Sequence, residues 1–401
     1  MRKPSQMISE LSGSLPLFMV NAFMYIAMAA YGPYMSAYYS DQLGMSSAQI
    51  GLLFGAGPIV AMLIQPVWAL VSDRTGRRRN VLALLCLLSA SAILLFYAAN
   101  SFAGYLMAAI CLSAFTSSVM PLGDSVLILR AKEKNVPFSH IRAAGTIGYA
   151  TVVYFFGLIY KSHANYMFAV AAAMYALLAL MVFRLPDDGS KAQQVAEDQA
   201  ADAPPFRFRG EFVILALFAF VCHTGFNFSN SFLGAYTVEL GLDRSALGSM
   251  NALAALCELP TLIGIHWLLK RFGTIPMIVC AGLLLSARIF MVSTGQLGWI
   301  FFGQMIQSSG FIILYCCCAM YIGANVPRAY QSIAQTCYAI LQSGLSNLGG
   351  YMFGGWLSGV VGIPMAYRGY GYFSLIGTLG LMVVYLLFAR YRKAKGQPVQ
   401  F

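Results

Sequence analysis

Apolar residues run along this chain in long blocks, each parted from the next by a short polar segment. About 20 consecutive, predominantly apolar residues cross a bilayer as a helix. Twelve blocks reach that length: 14–39, 47–71, 80–99, 101–129, 142–160, 164–183, 211–238, 246–269, 275–294, 297–324, 329–360 and 369–389. Glycines and prolines interrupt 329–360, so that block is open to another division. The polar start, Met1–Glu10, is short, and the first block is too long for the apolar region of a cleaved leader. It is read as a retained helix. The pattern predicts an all-α membrane protein with twelve transmembrane helices in two six-helix halves, 1–184 and 211–401. Between them, 185–210 is rich in Asp, Ala, Gln and Pro and reads as a cytoplasmic linker with little fold of its own.

Composition agrees with that reading. Hydrophobic residues make up 59% of the 401 and charged residues only 10%, against about 25% charged in an ordinary soluble domain; mean hydropathy is +0.70. The net charge of +11 raises nucleic acid as a partner, but its distribution argues against that. With both termini inside, 21 of the 25 Lys and Arg fall on the cytoplasmic face, leaving Lys161, Arg244 and Arg368 outside and Arg288 in mid-membrane. This is the positive-inside rule, and the basicity sets topology. Nine cysteines, among them Cys316, Cys317 and Cys318, show neither a pairing pattern nor a metal-ligand spacing with His, and read as small packing residues.

Shifted by 197 residues, the chain aligns with itself without a gap. Asp41-Gln-Leu-Gly44 meets Val238-Glu-Leu-Gly241, Gly51 meets Gly248, Asp73-Arg-Thr-Gly76 meets Lys270-Arg-Phe-Gly273, and Leu87-Leu-Ser-Ala90 meets Leu284-Leu-Ser-Ala287. Such a register implies two halves in parallel orientation about an axis along the membrane normal, a transporter architecture in which the halves rock around a midplane site.

Four charges lie within apolar blocks: Asp124, Arg142, Glu258 and Arg288. A charge at the bilayer centre costs roughly 2.5–3.5 kcal/mol even on a lenient scale, so it needs a partner or a task. Acid precedes base in each half, and two charged clusters facing one cavity are expected. A second signature follows the second block, where Ala69-Leu-Val-Ser-Asp73-Arg74-Thr-Gly76-Arg77-Arg78-Arg79 resembles the G-x-L-x-D-R-x-G-R-R loop of the major facilitator superfamily. Gly76 permits a tight turn. Asp73 can cap a helix or pair with a base. The resemblance implies a gating role for Asp73, Arg74, Gly76 and Arg77; the second copy has Lys270 in place of the acid.

Around Pro121-Leu-Gly-Asp124 and Ile141-Arg142-Ala-Ala-Gly145-Thr-Ile-Gly148-Tyr149 the chain is similar to the lactose permease group, with its nucleoside and phenylpropionate permease-like relatives. That resemblance implies an acid and an arginine, 18 residues apart, binding sugar hydroxyls, and Tyr149 stacking on the ring. Cys257-Glu258-Leu-Pro260 and Ser286-Ala-Arg288 resemble the group's acid and arginine of the eighth and ninth helices. The group's titrating pair on helix 10 is missing, since Gln307 and Gly310 fall nearest, and Asn227, Ser229 and Asn230 stand where helix 7 has acids.

Glu258 is therefore the expected proton carrier, with Arg288 switching it between ionised and neutral as the halves rock; a static ion pair is the plainer alternative. Asp124 and Arg142 present acceptors and bidentate donors suited to vicinal hydroxyls, although Arg142 also serves as a positive-inside anchor. Asn227 and Asn230 share a helix face and are read as substrate ligands; Gln304 and Gln307 face either a cavity or another helix. Tyr25, Tyr31 and Tyr34 recur at helical spacing, and His223 lines a cavity or merely packs. Together these residues predict proton-coupled uptake of a small hydroxylated solute, a sugar or a nucleoside. Aromatic-acid uptake, a drug/proton exporter and a non-transporting sensor are the alternatives. The expected partners are the small molecule, protons and the lipid bilayer, with no nucleic acid, cofactor or metal. The expected setting is the bacterial inner membrane, multi-pass, with a monomeric chain that is no enzyme and has no phosphate loop for ATP-driven transport.

Overall fold

The computed structural model describes residues 4–134, 136–160, 163–186, 210–326, 334–335 and 337–394. Apart from its ends, the expected linker lies outside them, as does the start of the expected span 329–360. The described regular elements are all helical: α1 Pro4–Ala29, α2 Met35–Asp41, α3 Ser47–Thr75, α4 Arg78–Ala98, α5 Phe102–Glu133, α6 Phe138–Tyr160, α7 Tyr166–Phe183, α8 Gly210–Glu239, α9 Arg244–Phe272, α10 Thr274–Ser293 and α11 Leu297–Asn325. Two π-helical segments, Ile340–Leu345 and Gly349–Phe353, then lead into α12 Gly354–Val361, and α13 Ile363–Ala394 follows.

Eleven of the described helical stretches are long and apolar enough to cross a membrane. The first is α1 and α2 together, parted by the 3₁₀ turn Gly32–Tyr34, where Pro33 has no backbone N–H to donate. The expected eleventh span, 329–360, corresponds in its described part to the π-containing stretch, whose wide turns follow the glycine-rich sequence.

Local chemistry explains the boundaries. Ser46 and Gln49 form a reciprocal cap on α3: the Ser46 hydroxyl accepts from the Gln49 N–H at 3.3 Å while the Ser46 N–H donates to Gln49 Oε1 at 3.0 Å. Ser101 caps α5 by accepting from the Gly104 N–H at 3.2 Å. Gly76 and Gly273, 197 residues apart, turn the chain at φ 63° and 79°, a backbone region costly for residues with a Cβ. Gly44 and Gly241, the other matched pair, also have positive φ, so the repeat is written into the turns.

The chain divides into two compact units. Unit 1 comprises Met1–Tyr38, Ala56–Gln194 and Gly241–Leu256. Its core sets Leu17, Val20 and Met24 of α1 against Leu82, Leu85 and Cys86 of α4, Val126 and Leu127 of α5, and Leu178 and Val182 of α7, all buried. Unit 2 comprises Tyr39–Gly55, Val195–Leu240 and Cys257–Phe401. Phe218 and Cys222 of α8, Ile278, Ala281 and Leu285 of α10, and Leu314, Cys317 and Cys318 of α11 fill its core. The cysteines pack there as free thiols.

The units do not follow the expected halves throughout. Segment 39–55 belongs to the second unit and 241–256 to the first, so each unit contains a piece of the other half's sequence. Glycines make both joins. Within unit 2, a Cβ on Gly51 would lie 2.8 Å from Gly355 Cα; within unit 1, one on Gly248 would lie 3.1 Å from Gly157 Cα. Large apolar side chains such as Leu63, Ile263 and Ile376 are exposed, as suits a surface turned to hydrocarbon.

Candidate functional site

In unit 1 the site begins with a proline. Pro121 cannot donate to the carbonyl one turn back, and Gln65 of α3 takes that Ser117 oxygen with its Nε2 at 2.8 Å. One turn on, Asp124 points its Oδ2 at Arg142 Nη1 of α6, 3.7 Å away. That distance makes an ion pair longer than a hydrogen bond. Both groups remain accessible, with 28% of the Asp124 side chain and 48% of the Arg142 side chain exposed. Asp124 Oδ1 has no hydrogen-bond partner. The Arg142 guanidinium lies 5.6 Å from the Tyr25 ring centroid, in cation–π range. Tyr149, half-buried, falls two turns beyond Arg142 on the same face of α6, with Gly145 between them. A Cβ on Gly145 would meet Asn21 Oδ1 and the Tyr25 ring at 2.5 Å, so this glycine lets α1 close on α6. Asn21 is completely buried, and neither polar atom of its amide has a partner.

The loop after α3 is ordered by its own charges. Asp73 pairs with Arg78 at 3.3 Å, and Arg79 donates to the Leu185 carbonyl at 2.7 Å. Gly76 donates its N–H back to the Ser72 and Asp73 carbonyls. Arg74 and Arg77 are exposed. The base that answers Asp73 is Arg78, on the first turn of α4, outside the expected set.

Unit 2 holds its charge differently. Arg288 of α10 is fully buried. Its Nη2 donates to Asn230 Oδ1 of α8 at 2.7 Å and to Gln304 Oε1 of α11 at 2.9 Å, and Nε donates to the same Gln304 oxygen at 3.2 Å. Nη1 has no partner. The guanidinium carbon lies 5.9 Å from the Phe226 ring, which stacks on Phe311 at 4.8 Å; Phe311 continues to Tyr315 at 6.3 Å. His223 is buried edge-on to Phe226, Phe311 and Tyr338, with Nδ1 2.8 Å from the Ala219 carbonyl. It is a packing residue here. Asn227 donates weakly to the Gln342 carbonyl of the first π segment at 3.4 Å, where Gly350 lets the backbones approach.

The structure therefore assembles Asp124 with Arg142 as the sequence leads one to expect, and does not assemble Glu258 with Arg288. Glu258 lies half-buried on α9, two residues before Pro260. The guanidinium instead reaches the amides of α8 and α11, which places Asn230 and Arg288, expected in separate roles, in one cluster. Sequence reasoning passed over Asn21, and quoted Arg78 in the loop signature without assigning it a role. A lone amide inside the apolar run Phe18–Ala22 was the available signal for the first, and the arginine run 77–79 for the second.

Curated proteins similar to this chain are named as membrane transporters. The chain is 26% identical to the maltose permease of Geobacillus stearothermophilus over 94% of its length and 95% of that protein's. It is 24% identical to the uncharacterized transporter YwbF of Bacillus subtilis (strain 168), covering 90% and 91%. Its fold matches a solved mutant of the nucleoside transporter NupG with TM-score 0.81 at 15% identity, over 92% of this chain and 99% of that one. The MFS_1 like family model spans residues 16–368, well over half of the chain, and the protein is a multi-pass membrane transporter belonging to that family.

Proposed function

We propose that the protein is a proton-coupled symporter that takes up a small hydroxylated solute, a sugar or a nucleoside, by alternating access. The observation that carries this reading is the Asp124–Arg142 pair. It is partly accessible and longer than a hydrogen bond, and its second carboxylate oxygen, Oδ1, is buried with no hydrogen-bond partner among the described residues. A pair held that loosely exchanges its internal attraction for hydroxyl contacts at little cost. Tyr149 offers an aromatic face for a ring. Similarity to a maltose permease favours a sugar.

Glu258 carries the proton in this scheme. Arg288 is engaged with amides in the conformation described, so any influence on Glu258 requires it to change partners during the cycle. Asp73, Arg74, Gly76 and Arg77 gate, with Arg78 as the partner of Asp73. The protein resides in the bacterial cytoplasmic membrane with both termini cytoplasmic and acts as a monomer.

Uptake of labelled sugars and nucleosides into energised vesicles of known orientation tests the scheme. Accumulation that an uncoupler abolishes is the expected result. Proton-driven movement in the opposite direction would make the protein an exporter and overturn the reading.

A further inference from the structure

We propose that Arg288 is the anchor of a binding site for a small monoanion, either the carboxylate of a transported acid or a free halide. The inference goes beyond the hydroxyl site of unit 1 and stands whether or not Glu258 carries the proton.

Arg288 is a fully buried cation whose bonded partners are neutral. Of its five N–H donors, those on Nε and Nη2 meet two amide oxygens, while Nη1 is buried without an acceptor among the described residues. Amide oxygens satisfy hydrogen bonds but leave the charge uncompensated. A buried guanidinium without a counter-ion is strongly unfavourable. The missing component is thus a negative acceptor at Nη1.

The surroundings suit a small organic anion. Phe226 lies beneath the guanidinium, and the Phe226–Phe311–Tyr315 stack continues away from it as an apolar wall. Gly303 packs on the arginine stem, where a Cβ would come into contact with Arg288 Cγ at 3.4 Å. Asn230, which holds Nη2, is itself exposed, so the guanidinium lies one side chain beneath an accessible surface. Charge at one end and aromatic rings beside it are what a short aromatic or aliphatic monocarboxylate recognises; a halide uses the charge alone.

The test is thermal unfolding of the purified full-length protein, titrated separately with sodium chloride and sodium benzoate against sodium sulfate at matched ionic strength. Wild type is expected to gain several degrees in a saturable manner with one or both monoanions. Asn230→Asp sets a carboxylate beside the guanidinium with almost no change of shape. It is expected to unfold at a higher temperature without added anion and to lose the saturable gain, as is Arg288→Gln where that variant folds. Glu258→Gln keeps the gain even where uphill uptake is lost, which separates failure of coupling from failure of this site. Benzoate that both stabilises and is taken up by vesicles identifies the anion as part of the substrate; a response to chloride alone identifies a resident ion, and either supports the site. No saturable gain in wild type, or the same gain in Asn230→Asp and Arg288→Gln, overturns it.

Discussion

Arg142 and Arg288 are the same side chain put to opposite uses. The first is half exposed, faces a carboxylate, and keeps that partner at 3.7 Å; the second is sealed from solvent and bonded only to neutral amides. Water around Arg142 screens its attraction to Asp124, so making or breaking the pair changes stability by less than about 1 kcal/mol. Around Arg288 the low polarity magnifies every electrostatic term. An exposed pair is a place where a ligand can compete. A buried charge is a place where a ligand, or a moving side chain, changes the energy of a whole conformation.

Substitutions break or sharpen that contrast. Glu258→Gln is expected to have the largest effect, abolishing uphill accumulation while exchange and binding survive; normal accumulation in energised vesicles would remove Glu258 from coupling. Arg288→Met comes next. It should abolish transport yet unfold at the same or a higher temperature, because an apolar side chain of similar volume relieves an uncompensated buried charge; a large drop in thermal stability would show that the amides already compensate it. Asp124→Asn should weaken substrate binding roughly 10- to 100-fold, the equivalent of about 1.5–3 kcal/mol for a hydrogen bond to a charged group, with little change in unfolding temperature. Unaltered affinity by calorimetry would return Asp124 to a packing role. A smaller test compares two glycines. Gly145→Ala meets Asn21 and Tyr25 at 2.5 Å and should destabilise by about 1–3 kcal/mol, whereas Gly303→Ala, whose nearest neighbour lies at an ordinary contact distance of 3.4 Å, should not. The smallest effect is expected from Asp73→Asn, which removes an exposed pair and changes stability by less than about 1 kcal/mol; transport kinetics, not unfolding, would register it.

Membrane-length helices were legible because apolar blocks are a one-dimensional property. So was the repeat, since left-handed turns demand glycine and Gly76 and Gly273 carry that demand 197 residues apart. Asp124 and Arg142 stood out as charges in apolar sequence and through the resemblance to the lactose permease group, with its 18-residue spacing of acid and arginine, and the two side chains lie 3.7 Å apart. The partners of Arg288 were not legible. Asn230, Gln304 and Glu258 all lie on other helices, and which of them meets the guanidinium depends on the rotation of α10 about its own axis. Apolar sequence on every side of that helix does not encode the rotation. Asn21 was overlooked for a related reason: one amide in an apolar run looks like noise until both its polar atoms are found buried without a partner. The exchange of 39–55 and 241–256 is not legible in hydropathy, because each segment mixes a polar connection, with Asp41 and Gln42 in one and Asp243 and Arg244 in the other, with the start of the next apolar block.

That exchange has a consequence for the chain as a polypeptide. Expressed alone, a fragment ending between residues 187 and 209 would contain every element of the first unit except 241–256, and would carry 39–55 with nothing of the second unit to pack on. The reciprocal fragment would be incomplete in the same way. Cut between residues 187 and 209 and co-expressed, the two fragments should solubilise and purify together, while each by itself should be cleared by proteolysis. The duplicated architecture thus contains two copies of a pattern but no self-sufficient half, and its synthesis is finished only when residues 241–256 have left the ribosome and found the helices made long before them.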